Sequence, residues 1–223
     1  SLMVEHFKKL IKYEVVDEKA WVDNTRDIFM TWDRRQGNYD DYLLNLCDLY
    51  VKSLMGLDKS AIDFATDQVI KLKSERVYTY TRSRIKWHLS QGHKVIFISG
   101  SPDFLVKKMA EKYNITDYRG SIYVFKDNEV IPMWDSVSKN KAIDELVEKY
   151  NLDLNQSYAY GDTNGDINML RRVGNPIAIN PTKELLLHIN QDETLAKTTK
   201  IIVERKDIIY SLDPSVKLYE NDL

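Results

Sequence analysis

Two short polar clusters interrupt the second half of the chain, and both carry residue types suited to phosphate chemistry. The first is Ser99-Gly100-Ser101-Pro102-Asp103. A hydroxyl followed by glycine at a helix N-terminus can hold a phosphate. The hydroxyl donates one hydrogen bond, and the backbone N–H groups and the positive helix end favour the anion. The competing reading is a plain helix cap, with Ser101 as N-cap and Pro102 in the first helical position. The second cluster is Asp162-Thr163-Asn164-Gly165-Asp166. Two carboxylates in a glycine-containing loop, with a backbone carbonyl nearby, suit Mg²⁺, a hard cation that takes oxygen ligands. The competing reading is favourable placement of Asp in the first turn of a helix. Lys139 and Lys141 open the helix ahead of that loop. A solvated helix face accounts for either one alone, and a cation there can also reach a phosphate as a compact point charge.

Other reactive side chains offer less. His6, His88, His93 and His188 are scattered, and none pairs with another at metal-ligand spacing. For the same reason no Ser/His/Asp arrangement can be drawn from them. Cys47 is the single cysteine. It excludes an internal disulfide and any Cys-rich zinc site, and it reads as a small buried side chain on a helix. Trp21, Trp32, Tyr39, Tyr42 and Tyr50 read as core rather than as a ligand cage. Arg34 and Arg35, beside a glycine turn, read as solvated surface rather than as an anion grip.

The elements that must position these clusters fall into two halves. Residues 1–75 carry helical stripes and no strand signal. Phe7, Leu10 and Ile11 form one stripe. Tyr42, Leu43, Leu46, Tyr50, Val51 and Leu54 form a second. Ala61, Phe64, Ala65, Val69 and Ile70 form a third. Gly37, Asn38 and Gly56 punctuate the runs, and the expectation is a small helical bundle. Residues 76–223 alternate. A helix ends at Gln91-Gly92, as glycine often marks. The apolar run Val95-Ile96-Phe97-Ile98 then reads as a strand buried on both faces of a parallel sheet. A helix follows with Val106, Met109, Ala110 and Tyr113 on one face. Residues 121–133 read as a hairpin, 139–150 as a helix, and 157–160, 176–179 and 201–203 as strands, with a helix holding Ile167, Leu170 and Val173 between the first two. Strands alternating with helices predict an α/β sheet with parallel strands. Ligands bind at the carboxyl ends of strands in such sheets, and both polar clusters fall there.

Composition bounds the rest. Of 223 residues, 43% are hydrophobic and 30% charged, with a net charge of −2. That is ordinary globular composition, without the basic patch that nucleic-acid binders carry. No apolar run approaches the roughly 18 residues needed to cross a bilayer. The start, SLMVEHFKKLIKYE, is too charged for a signal peptide, so the expectation is a cytoplasmic protein with neither nucleic acid nor membrane as partner. Oligomeric state is not readable from the sequence.

Together the clusters resemble three of the four motifs of the haloacid dehalogenase superfamily. VIFISGS resembles motif II, an apolar strand ending in Ser99. YAYGDTNGD resembles motif IV, with Asp162 and Asp166. The motif III lysine of phosphoserine-phosphatase-like members, aligned without gaps, falls at Lys139, with Lys141 as second choice. The helical first half is similar to the C1 cap of that subgroup. One departure is Gly165, which stands where phosphoserine phosphatases have Asn, while Asn164 lies one place earlier. The resemblance implies a Rossmann-like three-layer core with a parallel sheet, carrying a helical cap. It implies a Mg²⁺-dependent phosphomonoester hydrolase acting on a small phosphorylated metabolite. It implies Asp162 and Asp166 at the metal, Ser99 and Gly100 on the phosphoryl group, and Lys139 neutralising its charge.

A larger departure is motif I. Its DxDx[TV] sequence supplies the nucleophile and the general acid/base on the central strand, and it is not among these residues. Losing about five buried apolar side chains at ~1.5–3 kcal/mol each removes roughly 8–15 kcal/mol. The whole stability of a domain is ~5–15 kcal/mol. The expectation is therefore that the natural product begins about 10–20 residues upstream, room enough for one strand, and that these 223 residues alone turn over little or nothing. Ser1 and Leu2, ahead of Met3, read equally as a cloning remnant or as native sequence. A phosphate cradle without its nucleophile also admits a second reading, a non-catalytic phosphate-binding or interaction module. A third keeps the fold and makes the protein a dehalogenase, against which the acid pair weighs.

Overall fold

The computed structural model describes residues 1–125, 127 and 129–217. The chain divides into two compact units, Ser1–Trp134 and Asp135–Leu223.

The apolar stripes of the first half become helices. Helix α1 (Leu2–Lys12) buries Met3, His6, Phe7 and Leu10 along one side. Two short helices follow, α2 (Glu18–Asn24) and α3 (Arg26–Asp33). Asp17 caps α2 by accepting the Lys19 N–H at 2.9 Å, and Asn38 caps α4 (Tyr39–Leu54) by accepting the Asp40 N–H at 2.8 Å. Such caps satisfy N–H groups that a helix start leaves without partners. Helix α5 (Lys59–Lys73) buries Ile62, Ala65, Thr66 and Val69. Phe64, expected in the same stripe, is 50% exposed and meets the Tyr13 ring edge-on. Helix α6 (Thr79–Ser90) ends at Gln91, and Gly92 takes the φ of +73° that glycine tolerates best.

The same unit continues into β1 (Ile96–Pro102), α7 (Asp103–Lys112), β2 (Asp117–Val124) and β3 (Glu129–Ile131). Strands β1 and β2 run parallel, with Ile96 opposite Asp117, and β3 returns antiparallel with Val130 opposite Tyr123. The expected hairpin is present, although its first strand begins at Asp117 rather than 121. Lys126 and Asn128 of its turn lie outside the described residues. Tyr123 faces the helices and joins Phe7, Leu46, Tyr50 and Leu54 in one core.

The Val95–Ile98 run was expected to be buried on both faces, but these residues are only half-buried. The sheet order is β1-β2-β3, so among the described residues β1 has a strand neighbour along one edge only.

The second unit comprises α8 (Ser136–Tyr150), β4 (Tyr158–Gly161), a 3-10 turn (Asn164–Asp166), α9 (Ile167–Arg171), β5 (Asn175–Ile179), α10 (Lys183–Gln191), α11 (Leu195–Thr198), β6 (Lys200–Arg205) and β7 (Ile208–Leu212). Strands β4, β5 and β6 are parallel, in that order, and β7 pairs antiparallel with β6. Leu170, Ala178, Leu185, Ile189 and Ile201 form its core. The architecture is α/β with parallel strands, Rossmann-like, accompanied by the helices of the first half.

Candidate active site

In the first unit the Ser99-Gly100-Ser101 cluster closes β1. The strand runs through Ser101, so Pro102 rather than Ser101 occupies the N-cap of α7, and it makes no side-chain cap bond. From Ile98 opposite Arg119 to Pro102 opposite Ser121, β1 spends two more residues than β2, an irregularity that falls on Ser99, Gly100 and Ser101. Ser99 Oγ accepts the Ser101 N–H at 3.2 Å, which leaves its own O–H to donate elsewhere. Gly100 is held from the other side. Fully buried Ser121 donates to the Gly100 carbonyl at 2.9 Å and accepts the Met133 N–H at 3.0 Å. Trp134 packs so closely that a Cβ on Gly100 would meet the Trp134 Cβ at 2.9 Å. Ser99 and Gly100 thus lie at the end of β1, and the sequence held no sign that Ser121 and Trp134 brace Gly100.

In the second unit the Asp162–Asp166 loop follows β4. Asp166 is almost wholly buried, and both of its oxygens are engaged. Oδ1 accepts from Lys139 Nζ at 2.6 Å, and Oδ2 accepts the N–H groups of Asp162 at 3.0 Å and Thr163 at 3.2 Å. Thr163 and Asp166 form a reciprocal capping box at the 3-10 turn. The close fit needs a glycine at 161, where a Cβ would lie 2.5 Å from the Asp166 Cβ. The loop is tied to the start of α10 by the Thr182 N–H, which donates to the Asp162 carbonyl at 2.9 Å.

Asp162 differs from its partner. Its side chain stays open to solvent. Its carboxyl is nevertheless raised above the ordinary range, first by the protein that crowds it and then by the Asp166 charge, with Lys139 opposing. A bound cation reverses such a bias. Of the two candidate lysines, Lys139 is buried against Asp166, whereas Lys141 is exposed. Arg34 and Arg35 are both exposed.

The site also contains residues that sequence reasoning left aside. Asn164 Nδ2 donates to Glu184 Oε1 at 3.2 Å, so its Oδ1 is the acceptor for His188 Nδ1–H at 2.6 Å. In the first unit His88 and His93 bring their Nδ1 atoms to 2.9 Å across the end of α6. Their separation of five residues matches no regular ligand spacing.

The donor set bears on a metal. Among the described residues no group of three or more His, Cys, Asp or Glu side chains is placed to hold one. What the loop offers is one open carboxylate, Asp162, backed by a fully engaged Asp166. That fits Mg²⁺, which keeps several waters and needs only one or two carboxylates.

The sequence model of the haloacid dehalogenase-like hydrolases matches residues 23–171. Phosphoserine phosphatase SerB1 of Mycobacterium tuberculosis is 27% identical over 124 residues, which cover 53% of this chain and 39% of that protein. The chain spans about two fifths of the length of the curated relatives it matches. Among solved structures, a protein of unknown function from Bordetella pertussis Tohama I superposes with a TM-score of 0.66 at 14% identity, covering 89% of both chains. A phospho-aspartyl intermediate analogue of phosphoserine phosphatase superposes with a TM-score of 0.58 at 18% identity, covering 93% of this chain and 88% of the other. At these identities the likeness is one of fold.

Proposed function

The chain belongs to the family of haloacid dehalogenase-like hydrolases, and from that premise we propose that it forms part of a Mg²⁺-dependent phosphatase acting on a small phosphorylated metabolite. The observation that carries the reading is Asp166, held by Lys139 and two loop N–H groups while Asp162 stays open beside it. Residues 1–75 would serve as the cap and 76–223 as the core. A cytoplasmic location is part of the proposal; among the described residues no helix is long and apolar enough to cross a membrane.

Asp162 would hold Mg²⁺, which when bound offsets negative charge on the phosphate oxygens. Asp166 keeps the loop in shape through its two N–H acceptors and fixes the Lys139 ammonium. The Ser99 hydroxyl and Gly100 N–H would bind the phosphoryl oxygens, and positioning with electrostatics supplies most of the catalysis in phosphoryl transfer. The covalent step belongs to a DxDx[TV] strand outside these residues. Its first carboxylate attacks phosphorus and the ester P–O bond breaks. The leaving alkoxide takes a proton from the second Asp. Water then gives a proton to the second Asp and attacks the aspartyl-phosphate at phosphorus; the acyl P–O bond breaks, releasing phosphate and restoring both groups. The single-edged pairing of β1 supports a further strand beside it. Phosphoserine stands in the names of several of the similar proteins, and Gly165 is a departure from that subgroup's pattern.

The test is Mg²⁺-dependent phosphate release from p-nitrophenyl phosphate and a metabolite panel. The 223-residue chain is compared with one carrying a DxDx[TV] strand ahead of Ser1. Release by the extended chain alone is the expected result. Equal release by the shorter chain would place the nucleophile within it, and no release by either would overturn the reading.

A further inference from the structure

The helices of the first unit line a half-open pocket of about 240 Å³ that the phosphatase reading leaves unused. Its lining comes from α1 to α4 and includes none of Ser99, Gly100 or Ser101. Val4, Phe7, Ile11 and Leu46 form its aliphatic and aromatic floor. Trp21, Phe29 and Tyr42 form its walls. Lys8 and Glu18, both exposed, stand at its mouth.

Local structure explains the arrangement. Val4, Lys8 and Ile11 recur on one face of α1, and Glu18 and Trp21 share one face of α2. The rings brace one another. Trp21 meets Phe29 edge-on at 5.8 Å, Phe29 lies 5.3 Å from Tyr42, and Tyr42 stacks on Trp32 at 5.5 Å with planes 6° apart. A pocket walled by rings that hold each other is formed before its ligand arrives, which lowers the cost of binding. Its size is ample, since a dry cavity of ~150 Å³ already takes benzene.

The mouth decides the class of ligand. A pure cation would face Lys8 and a pure anion would face Glu18. Lys8 is only loosely engaged: it lies 3.8 Å from Glu5 with its side chain 59% exposed, while Glu5 has Lys73 at 2.8 Å. An exposed pair of that kind is worth ~0–1 kcal/mol and gives way easily. We propose that the pocket binds a small zwitterion with an apolar body, in chemical class a hydrophobic α-amino acid. Its side chain lies among Trp21, Phe29 and Tyr42, its ammonium meets Glu18, and its carboxylate meets Lys8.

The experiment is calorimetric titration of the chain extended by a DxDx[TV] strand ahead of Ser1 with L-phenylalanine and L-leucine, beside phenethylamine, which lacks the carboxylate, and hydrocinnamate, which lacks the ammonium. Saturable one-to-one binding of phenylalanine is expected, with each analogue about tenfold weaker for want of one charge-assisted bond. Glu18→Gln should weaken phenylalanine and phenethylamine and spare hydrocinnamate. Lys8→Met should weaken phenylalanine and hydrocinnamate and spare phenethylamine. Both positions are exposed, and an unchanged melting temperature shows that the variants are folded. No saturable binding of either amino acid overturns the proposal, as does equal affinity for all ligands with no response to either substitution. Neither result bears on phosphate release, so the phosphatase reading stands or falls separately.

Discussion

Lys139 Nζ and Asp166 Oδ1 stand 2.6 Å apart, with the two side chains only 7% and 8% exposed. A pair so buried contributes little net stability over an apolar pair of the same shape, but removing one member strands the other charge. Lys139→Met should therefore destabilise the chain by about 3–5 kcal/mol. Asp166→Leu should cost at least as much, because it also strips the acceptor from the N–H groups of Asp162 and Thr163. The double variant should cost clearly less than the sum. Urea denaturation of the four proteins measures this, and strictly additive losses would mean that the two groups do not act as a pair.

Gly161→Ala should act on the same carboxylate by another route. The added Cβ lands 2.5 Å from the Asp166 Cβ, and Asp166 is held by three donors and cannot swing away cheaply. Overpacking of this kind costs about 1–3 kcal/mol. The phosphatase reading adds that Mg²⁺-dependent activity of the extended chain should fall with it. Unchanged urea midpoint and activity would show that the loop relaxes freely.

Much of this was legible in the sequence, for reasons that also explain what was missed. The long helices announced themselves through regular apolar spacing, which α4 obeys from Tyr42 to Leu54. Helices α2 and α3 lie in the half expected to be helical but were not picked out singly, because at 7 and 8 residues they are too short for apolar spacing to repeat. Strand β7 was missed for a similar reason, with Ile208, Ile209 and Tyr210 all largely exposed. Within the site, spacing led to Asp162 and Asp166, and the family resemblance chose Lys139 over Lys141; the three stand together in the second unit. Spacing had no means of reaching Glu184 and His188, whose partner Asn164 lies 20 and 24 residues away. Nor did it reach Ser121, which meets Gly100 across 21 residues. Contacts of that span depend on strand register, which local pattern does not encode.

Ser121 offers a separate test of the phosphate cradle. It is fully buried, and its hydroxyl joins the Gly100 carbonyl to the Met133 N–H. Ser121→Ala leaves both backbone groups short of a partner, at about 1–3 kcal/mol. If the cradle holds phosphate, the substitution should also weaken inorganic phosphate as a competitive inhibitor of the extended chain, because the Gly100 peptide loses its anchor. Thermal denaturation reads the first effect and inhibition kinetics the second. A stability loss with unaltered inhibition would confine Ser121 to a structural role.

His6 sets an acid limit on the stability of the helical core. Its ring is fully buried between α1, α4 and α5. Nε2–H donates to the Ile62 carbonyl at 3.3 Å, and Nδ1 accepts from the Tyr50 hydroxyl at 2.7 Å, so the imidazole is neutral. Burial pushes its pKa down from 6.5 to about 4, with the Ile62 bond opposing. Between those values the unfolded chain binds a proton that the folded chain refuses. The contribution is therefore full above pH 6.5 and is lost as the pH falls toward 4, by roughly 3 kcal/mol in all. Carboxylates that titrate in the same range also change stability, so the informative quantity is a difference in slope. His6→Gln removes the titrating ring, whatever offset it imposes on overall stability. Urea midpoints measured from pH 7 to pH 4 should decline less steeply in the variant than in the parent chain. Parallel declines would mean that the buried imidazole accepts its proton without disturbing the core.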